Sequence, residues 1–448
     1  MEPINPKEAR KYPVIAALAA LILLGSVVGF NLVVDPYAMY RLVEIRGFNT
    51  HKPAVYHRVR LAKAYEVRRL RPQAIILGTS RSHLGLRPSH EGWESEVTRR
   101  YNLAFDGATT KEMYYYLLHA HAVQPLKQVV LGLDTYHPTG APASVRPDFD
   151  PQILGKPGSL TSRLGMMLAD LKLLVSIDTV KASIDTLRSQ DDGEPEWFAA
   201  DGQRLGEVFF RRPGENFVKY GPRAYFEEID RLEVGFKTEG MRPVAVKASH
   251  RPAAPQVSSG ETSLAYIRRI VEFCRAEHID LRIFITPEHA HQMEINVAVG
   301  AWSSVEIGKR ELVRMLQDEH ARHPGERPFA LYDFSGYSTV TTEALPEPGS
   351  HAEMTYYWDS SHFKATVGDM VLDRLFGYTR PGRPVPEDFG VRLTPDSIES
   401  ALKNTRTAQA AYRMSHPEDI SAIRSLVEES TGHRPGNSSV AMVASPAE

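Results

Sequence analysis

Short, continuously apolar runs alternate along this chain with longer stretches whose apolar residues recur every three to four positions. Residues 73–79 (QAIILGT), 100–104 (RYNLA), 128–133 (QVVLGL), 280–285 (DLRIFI) and 329–333 (FALYD) have the length and apolar character of strands. Apolar runs without polar alternation belong to strands covered on both faces. Helical spacing fills 111–123 (KEMYYYLLHAHAV) and 261–277, between strands. Alternation of this kind predicts an α/β fold on a five-stranded parallel sheet with helices on both faces.

The pattern departs from this rhythm in four places. Residues 13–34 are uncharged and mostly aliphatic, long enough for a hydrocarbon core of about 30 Å. Lys7, Arg10 and Lys11 precede the run, and Tyr12, Tyr37 and Tyr40 flank it. A signal peptide would have an apolar core of only about 7–15 residues and a small-residue cleavage site. The run therefore reads as an uncleaved signal anchor, with 1–12 in the cytoplasm and the bulk of the chain across the membrane. Residues 35–71 form a connector whose basic helix, 54–70, reads as a solvated face beside the membrane, within reach of anionic headgroups. A long excursion, 135–259, opens Pro-rich and shows helical spacing over 162–189; an insertion of this length is a lid or a partner surface. Beyond the main unit, 72–378, lie a helical extension, 379–431, and a small polar tail, 432–448, expected to be disordered.

Composition adds two constraints. With 53 basic and 55 acidic residues the net charge is −2, which lacks the basic excess of a nucleic-acid binder. The single cysteine, Cys274, lies at an apolar position of a helical stretch and permits no intrachain disulfide.

Candidate chemistry concentrates where strands end, because ligands of parallel sheets bind outside the carboxyl ends of the strands. Ser80 follows the first strand in Gly78-Thr79-Ser80-Arg81, where a hydroxyl at the crevice serves as a nucleophile or as a helix N-cap. Asp359-Ser360-Ser361-His362 precedes the last helix of the main unit. An Asp three residues before a His can hold its imidazole N–H and stabilise the imidazolium, or can simply cap the helix. Arg81 is placed to meet an anionic substrate or to pair with Asp134. Trp358, beside Tyr356 and Tyr357, offers a platform for a sugar ring or packs on the sheet. His289, in Pro287-Glu288-His289-Ala290-His291 after the fourth strand, reads as a substrate or lid contact; H-x-H on a loop lacks the spacing of a zinc site, so no metal is expected.

Taken in order, these blocks resemble the SGNH (GDSL-type) hydrolase superfamily. Residues 78–81 stand for its nucleophile block, 101–107 (YNLAFDG) for its second block and 359–362 for its terminal block. The resemblance implies a flavodoxin-like three-layer sandwich of strand order 2-1-3-4-5 and ester or acyl-transfer chemistry without a cofactor. It assigns Ser80 as nucleophile, His362 as base, Asp359 as orienter, the N–H groups of Ser80 and Gly107 as oxyanion donors, and Asn102 to the substrate side. At the third block the family has Gly-x-Asn-Asp, whose Asn donates to the oxyanion; this chain has Gly132-Leu133-Asp134-Thr135. An ionised Asp134 cannot donate, so it points elsewhere, another group such as Thr135 substitutes, or catalysis is poor. The anchored layout is most similar to bacterial envelope proteins that acylate teichoic acids and polysaccharides. It implies the inner membrane, an envelope polysaccharide and, in a non-catalytic or glycan-binding alternative, a membrane O-acyltransferase as partners.

Overall fold

The computed structural model describes residues 11–135, 144–146, 148–154, 160–191, 197–212, 214–238 and 261–432. The expectations for the cytoplasmic start, the Pro-rich opening of the insertion, its end near 250–259 and the polar tail fall wholly or mostly outside these residues.

Helix α1 (Lys11–Val34) carries the long apolar run, and among the described residues it alone is long and apolar enough to cross a membrane. Its last turn is capped from outside the helix. The Lys52 ammonium donates to the carbonyls of Val34 (3.1 Å) and Asp35 (2.9 Å), and the Asn49 amide donates to Val33 O at 3.0 Å. A cation at the negative end of a helix satisfies orphan carbonyls and the dipole together.

Helix α2 (Val59–Leu70) leads into the sheet. The solvated face expected for this helix is corrected here: Arg60, Lys63 and Glu66 are buried. Arg60 pairs with Glu112 (3.1 Å) and Asp148 (3.0 Å), while Lys63 donates to the carbonyls of Asn102, Ala104 and Gly202 within 2.9 Å. Burial pushes the Lys63 ammonium well below the usual lysine range.

The sheet comprises β1 (Ala74–Leu77), β2 (Arg100–Asn102), β3 (Gln128–Leu133), β4 (Asp280–Ile285), β5 (Ala330–Asp333) and β6 (Val391–Leu393), in the order β2-β1-β3-β4-β5-β6. Neighbours from β2 to β5 run parallel, whereas β6 is antiparallel to β5, with Leu331 opposite Leu393. The sheet is therefore mixed and six-stranded rather than five-stranded and purely parallel. The added strand comes from the stretch read as a helical extension. An edge strand this short carries too little apolar pattern to be seen in sequence.

Period-two alternation sends the strand side chains to two cores. Ile75, Leu77, Val129, Leu131, Leu281 and Ile283 meet Leu117 of α3 (Thr110–Val123), Ile270 of α4 (Ser263–Ala276) and Leu316 of α5 (Trp302–Arg322). Ala74, Ile76, Val130 and Phe284 face Val367, Val371 and Leu375 of α6 (Ala365–Phe376) on the other side. Beyond β6, α7 (Ile398–Ser415) packs against β6 and α5, and α8 (Pro417–Thr431) against the helices Pro222–Thr238 and Ala290–Ala298. Since β1 has β2 on one side and β3 on the other, the chain direction switches between β1 and β3. In open parallel sheets ligands bind outside the strand ends at such a point.

Candidate functional site

Ser80 stands at this switch point. Leaving β1, the backbone turns at Gly78 (φ +157°) and starts a short helix, Ser80–Gly85. A Cβ on Gly78 would strike the Ser82 side chain, so the tight turn needs glycine. The Ser80 hydroxyl is half-buried and donates to His362 Nε2 at 2.9 Å. On the opposite side of the ring, Nδ1–H reaches the Asp359 carboxylate at 2.9–3.0 Å.

The loop carrying Asp359 and His362 is pinned by its neighbours. Tyr357 and Phe363 pair as an antiparallel bridge and are buried in the second core, and Trp358 N–H bonds His362 O at 2.9 Å. Asp359 is fully buried, and its Oδ1 also accepts the backbone N–H groups of Ser361 and His362 at 2.8 Å. With two backbone donors and the imidazole around it, the carboxylate is held as the orienting acceptor of a Ser-His-Asp relay.

Gly107 lies on the adjoining turn, which is tied to the first by Phe105 N–H bonding Gly78 O at 3.3 Å. It takes φ +61°, and the guanidinium of Arg146 lies 3.6 Å from where a Cβ would project. Among the described residues nothing accepts from the N–H of Ser80 or of Gly107. Backbone N–H groups without acceptors near a serine hydroxyl are the kind of donors that can receive an oxyanion.

Asp134 is taken up by partners of its own. Its carboxylate accepts Thr79 Oγ1 (2.6 Å), Thr286 Oγ1 (3.0 Å) and Arg81 Nη1 (2.7 Å). Arg81 also donates to Ser361 O (3.0 Å) and Ser361 Oγ (2.6 Å), and it lies 3.4 Å from Glu288. The alternatives left open for both residues thus resolve into one buried pair that stitches the Ser80 turn to the β3 end and to the His362 loop. Arg81 is 2% exposed and is not available to a substrate. Thr135 bonds Glu288 at 2.5 Å and is likewise committed inward.

Three residues expected on the substrate side are internal. Asn102 is fully buried; its amide donates to the carbonyls of Ser82 and Leu86 at 2.9 Å, bracing the Ser80 helix. His289 caps the helix Ala290–Ala298, donates from Nε2 to Glu343 O at 2.8 Å, and is pushed by burial down to about 3. Trp358 is buried and stacks on Phe210 with centroids 4.9 Å apart. Each was read from its position near a strand end or motif, but side-chain direction is set by the packing around it.

The insertion supplies groups that no motif pointed to. Phe210 covers Trp358 and lies 6.4 Å from the His362 ring, and Glu233 accepts from Ser361 Oγ at 2.9 Å. Arg204 binds Asp106 at 2.6 Å, and Asp106 also faces His83 at 3.3 Å. Although burial works to raise it, Asp106 is held well below the usual carboxylate range by Arg204, His83 and His362. Burial, helped by Lys63, drives His83 down to about 3, so it faces Asp106 as a neutral imidazole. The i, i+3 spacing of Ser80 and His83 was the one sequence signal available; Arg204 had none. No protein-family model matches the chain, and no curated protein matches it significantly.

Proposed function

We propose that this chain is a membrane-anchored SGNH-like esterase or O-acyltransferase of the bacterial envelope, acting on a polysaccharide on the periplasmic side. The observation that carries the reading is the continuous hydrogen-bonded chain Ser80–His362–Asp359 at the switch point of the sheet. The parallel order β2-β1-β3-β4-β5 supports the flavodoxin-like part of the resemblance.

In this mechanism Ser80 Oγ attacks the acyl carbonyl while His362 Nε2 takes its proton, and Asp359 stabilises the imidazolium. The tetrahedral oxyanion is received by the N–H groups of Ser80 and Gly107, with the Arg146 guanidinium adding positive charge beside Gly107. Collapse returns the proton from His362 to the leaving alcohol and leaves an acyl ester on Ser80. Water or a sugar hydroxyl, deprotonated by His362, then takes the acyl group.

One observation favours a non-catalytic partner of a membrane O-acyltransferase instead. Asp134 is locked to Arg81, so the third donor, the only side-chain one, is missing; one such donor is worth about 2.7–4 kcal/mol in the transition state. The full-length protein in detergent, treated with a fluorophosphonate probe and an aryl acetate, separates the two. Labelling and turnover lost in both Ser80→Ala and His362→Ala support the enzyme. A folded wild type that neither labels nor turns over sinks it.

A further inference from the structure

The helix Leu160–Leu174 is built the wrong way round for a surface helix facing water. One face packs on the protein: Asp170 bonds Tyr65, Met166 Sδ lies 3.0 Å from Arg68, and Leu173 joins the cluster of Tyr37, Leu61 and Tyr65. The opposite face carries Leu164, Met167, Leu168 and Leu171, at i, i+3, i+4 and i+7, which are 47–67% exposed with no charge among them. Water-facing helices place charged or polar residues there.

The stripe runs toward α1. One turn beyond Leu171, Leu174 is buried and its carbonyl accepts from the Asn31 amide at 2.7 Å. Asn31 Oδ1 in turn accepts from Ser183 Oγ at 2.7 Å, on the helix Ile177–Arg188. That helix begins with Ile177, 73% exposed. Leu42 and Ile45 are also exposed, in the loop that Asn49 ties to the end of α1. Three segments that grip the last turns of α1 therefore each present large aliphatic side chains to the outside.

We infer that Leu160–Leu174 lies in the membrane interface, with Leu164, Met167, Leu168 and Leu171 inserted among lipid acyl chains beside α1. Leu42, Ile45 and Ile177 complete a collar around the anchor. The occupant is the bilayer rather than a second copy, because the helix abuts α1, whose own aliphatic side chains such as Leu21, Ile22 and Leu23 are exposed. Interfacial helices bury such a face about 5–10 Å into the headgroup–acyl boundary. The inference rests on α1 being a membrane span.

The test uses the full-length protein in phosphatidylcholine vesicles, with an environment-sensitive fluorophore on single introduced cysteines; the native Cys274 is buried. Labels at Leu168→Cys and Leu171→Cys are expected to shift to the blue and to lose emission to lipids carrying a nitroxide high on the acyl chain. A label at Leu23→Cys in α1 is expected to be quenched by a deep nitroxide, and one at the exposed Met414→Cys by neither. Quenching at Leu23 without quenching at Leu168 and Leu171 overturns the interfacial helix and leaves the anchor standing. A blue shift at those positions without lipid quenching means that protein covers the face, and overturns it too. No quenching at Leu23 removes the anchor and the inference with it.

Discussion

Among single residues, Arg81 and Asp134 carry the most structural consequence, because each is buried and each neutralises the other. In water the pair would be worth little, but inside the protein the cost lies in leaving one charge alone. Arg81→Ala removes the cation that both Asp134 and Glu288 face and is expected to destabilise the fold by about 3–5 kcal/mol, read from denaturant unfolding of the detergent-solubilised protein. Arg81→Ala combined with Asp134→Ala should recover part of that loss, since the Asp134 carboxylate is no longer left without its cation, while Glu288 still is. If the double variant is as unstable as the sum of the singles, the two residues do not act as a pair.

The contact between elements that matters most for the site is that of the Ser80–Gly85 helix with α6. These helices bring Ser80 and the His362 loop together, and they approach so closely that a Cβ on Gly368 would collide with the Gly85 carbonyl. Gly368→Ala must therefore push α6 away. The expected cost is about 1–3 kcal/mol of overpacking, together with loss of fluorophosphonate labelling at temperatures where the protein is still folded. An unchanged labelling rate would show that the hydroxyl–imidazole contact does not depend on this approach.

Across the whole molecule, His291 ties the insertion to the C-terminal helices. Its ring lies 2.7 Å from Asp230 on the helix Pro222–Thr238 and 3.5 Å from Asp419 on α8, with His289 packed alongside. Burial opposes its charge, but Asp230 and Asp419 raise it from 6.5 to about 9. A histidine raised in the folded state contributes stability that is fully present below its unfolded value and is lost as pH rises through the folded one. The wild type should thus lose stability as pH climbs from 6.5 past about 9, by an amount on the order of 3 kcal/mol, and His291→Gln should show a flatter profile in denaturant midpoints. Identical profiles would remove the clamp.

Local physics was enough to read the strands from β1 to β5, the amphipathic helices between them and the long apolar run of α1. Each declares itself by a period of its own, and the strand ends fixed where a site belonged in a parallel sheet. Ser80, Asp359 and His362 were visible as short polar breaks at those ends, and the structure places them in one hydrogen-bonded line. Side-chain direction was not legible. Asn102, His289 and Trp358 sit near the crevice in sequence yet point into the core, because what surrounds them comes from residues far along the chain. The short antiparallel β6, the burial of Arg60 and Lys63, and the pairing of Arg204 with Asp106 likewise depend on contacts of long sequence separation. Periodicity along the chain reports which face of an element is apolar. Only the packed structure decides which neighbour each polar group will meet, since that partner is chosen by burial and by the cost of leaving a charge or hydrogen bond unmade.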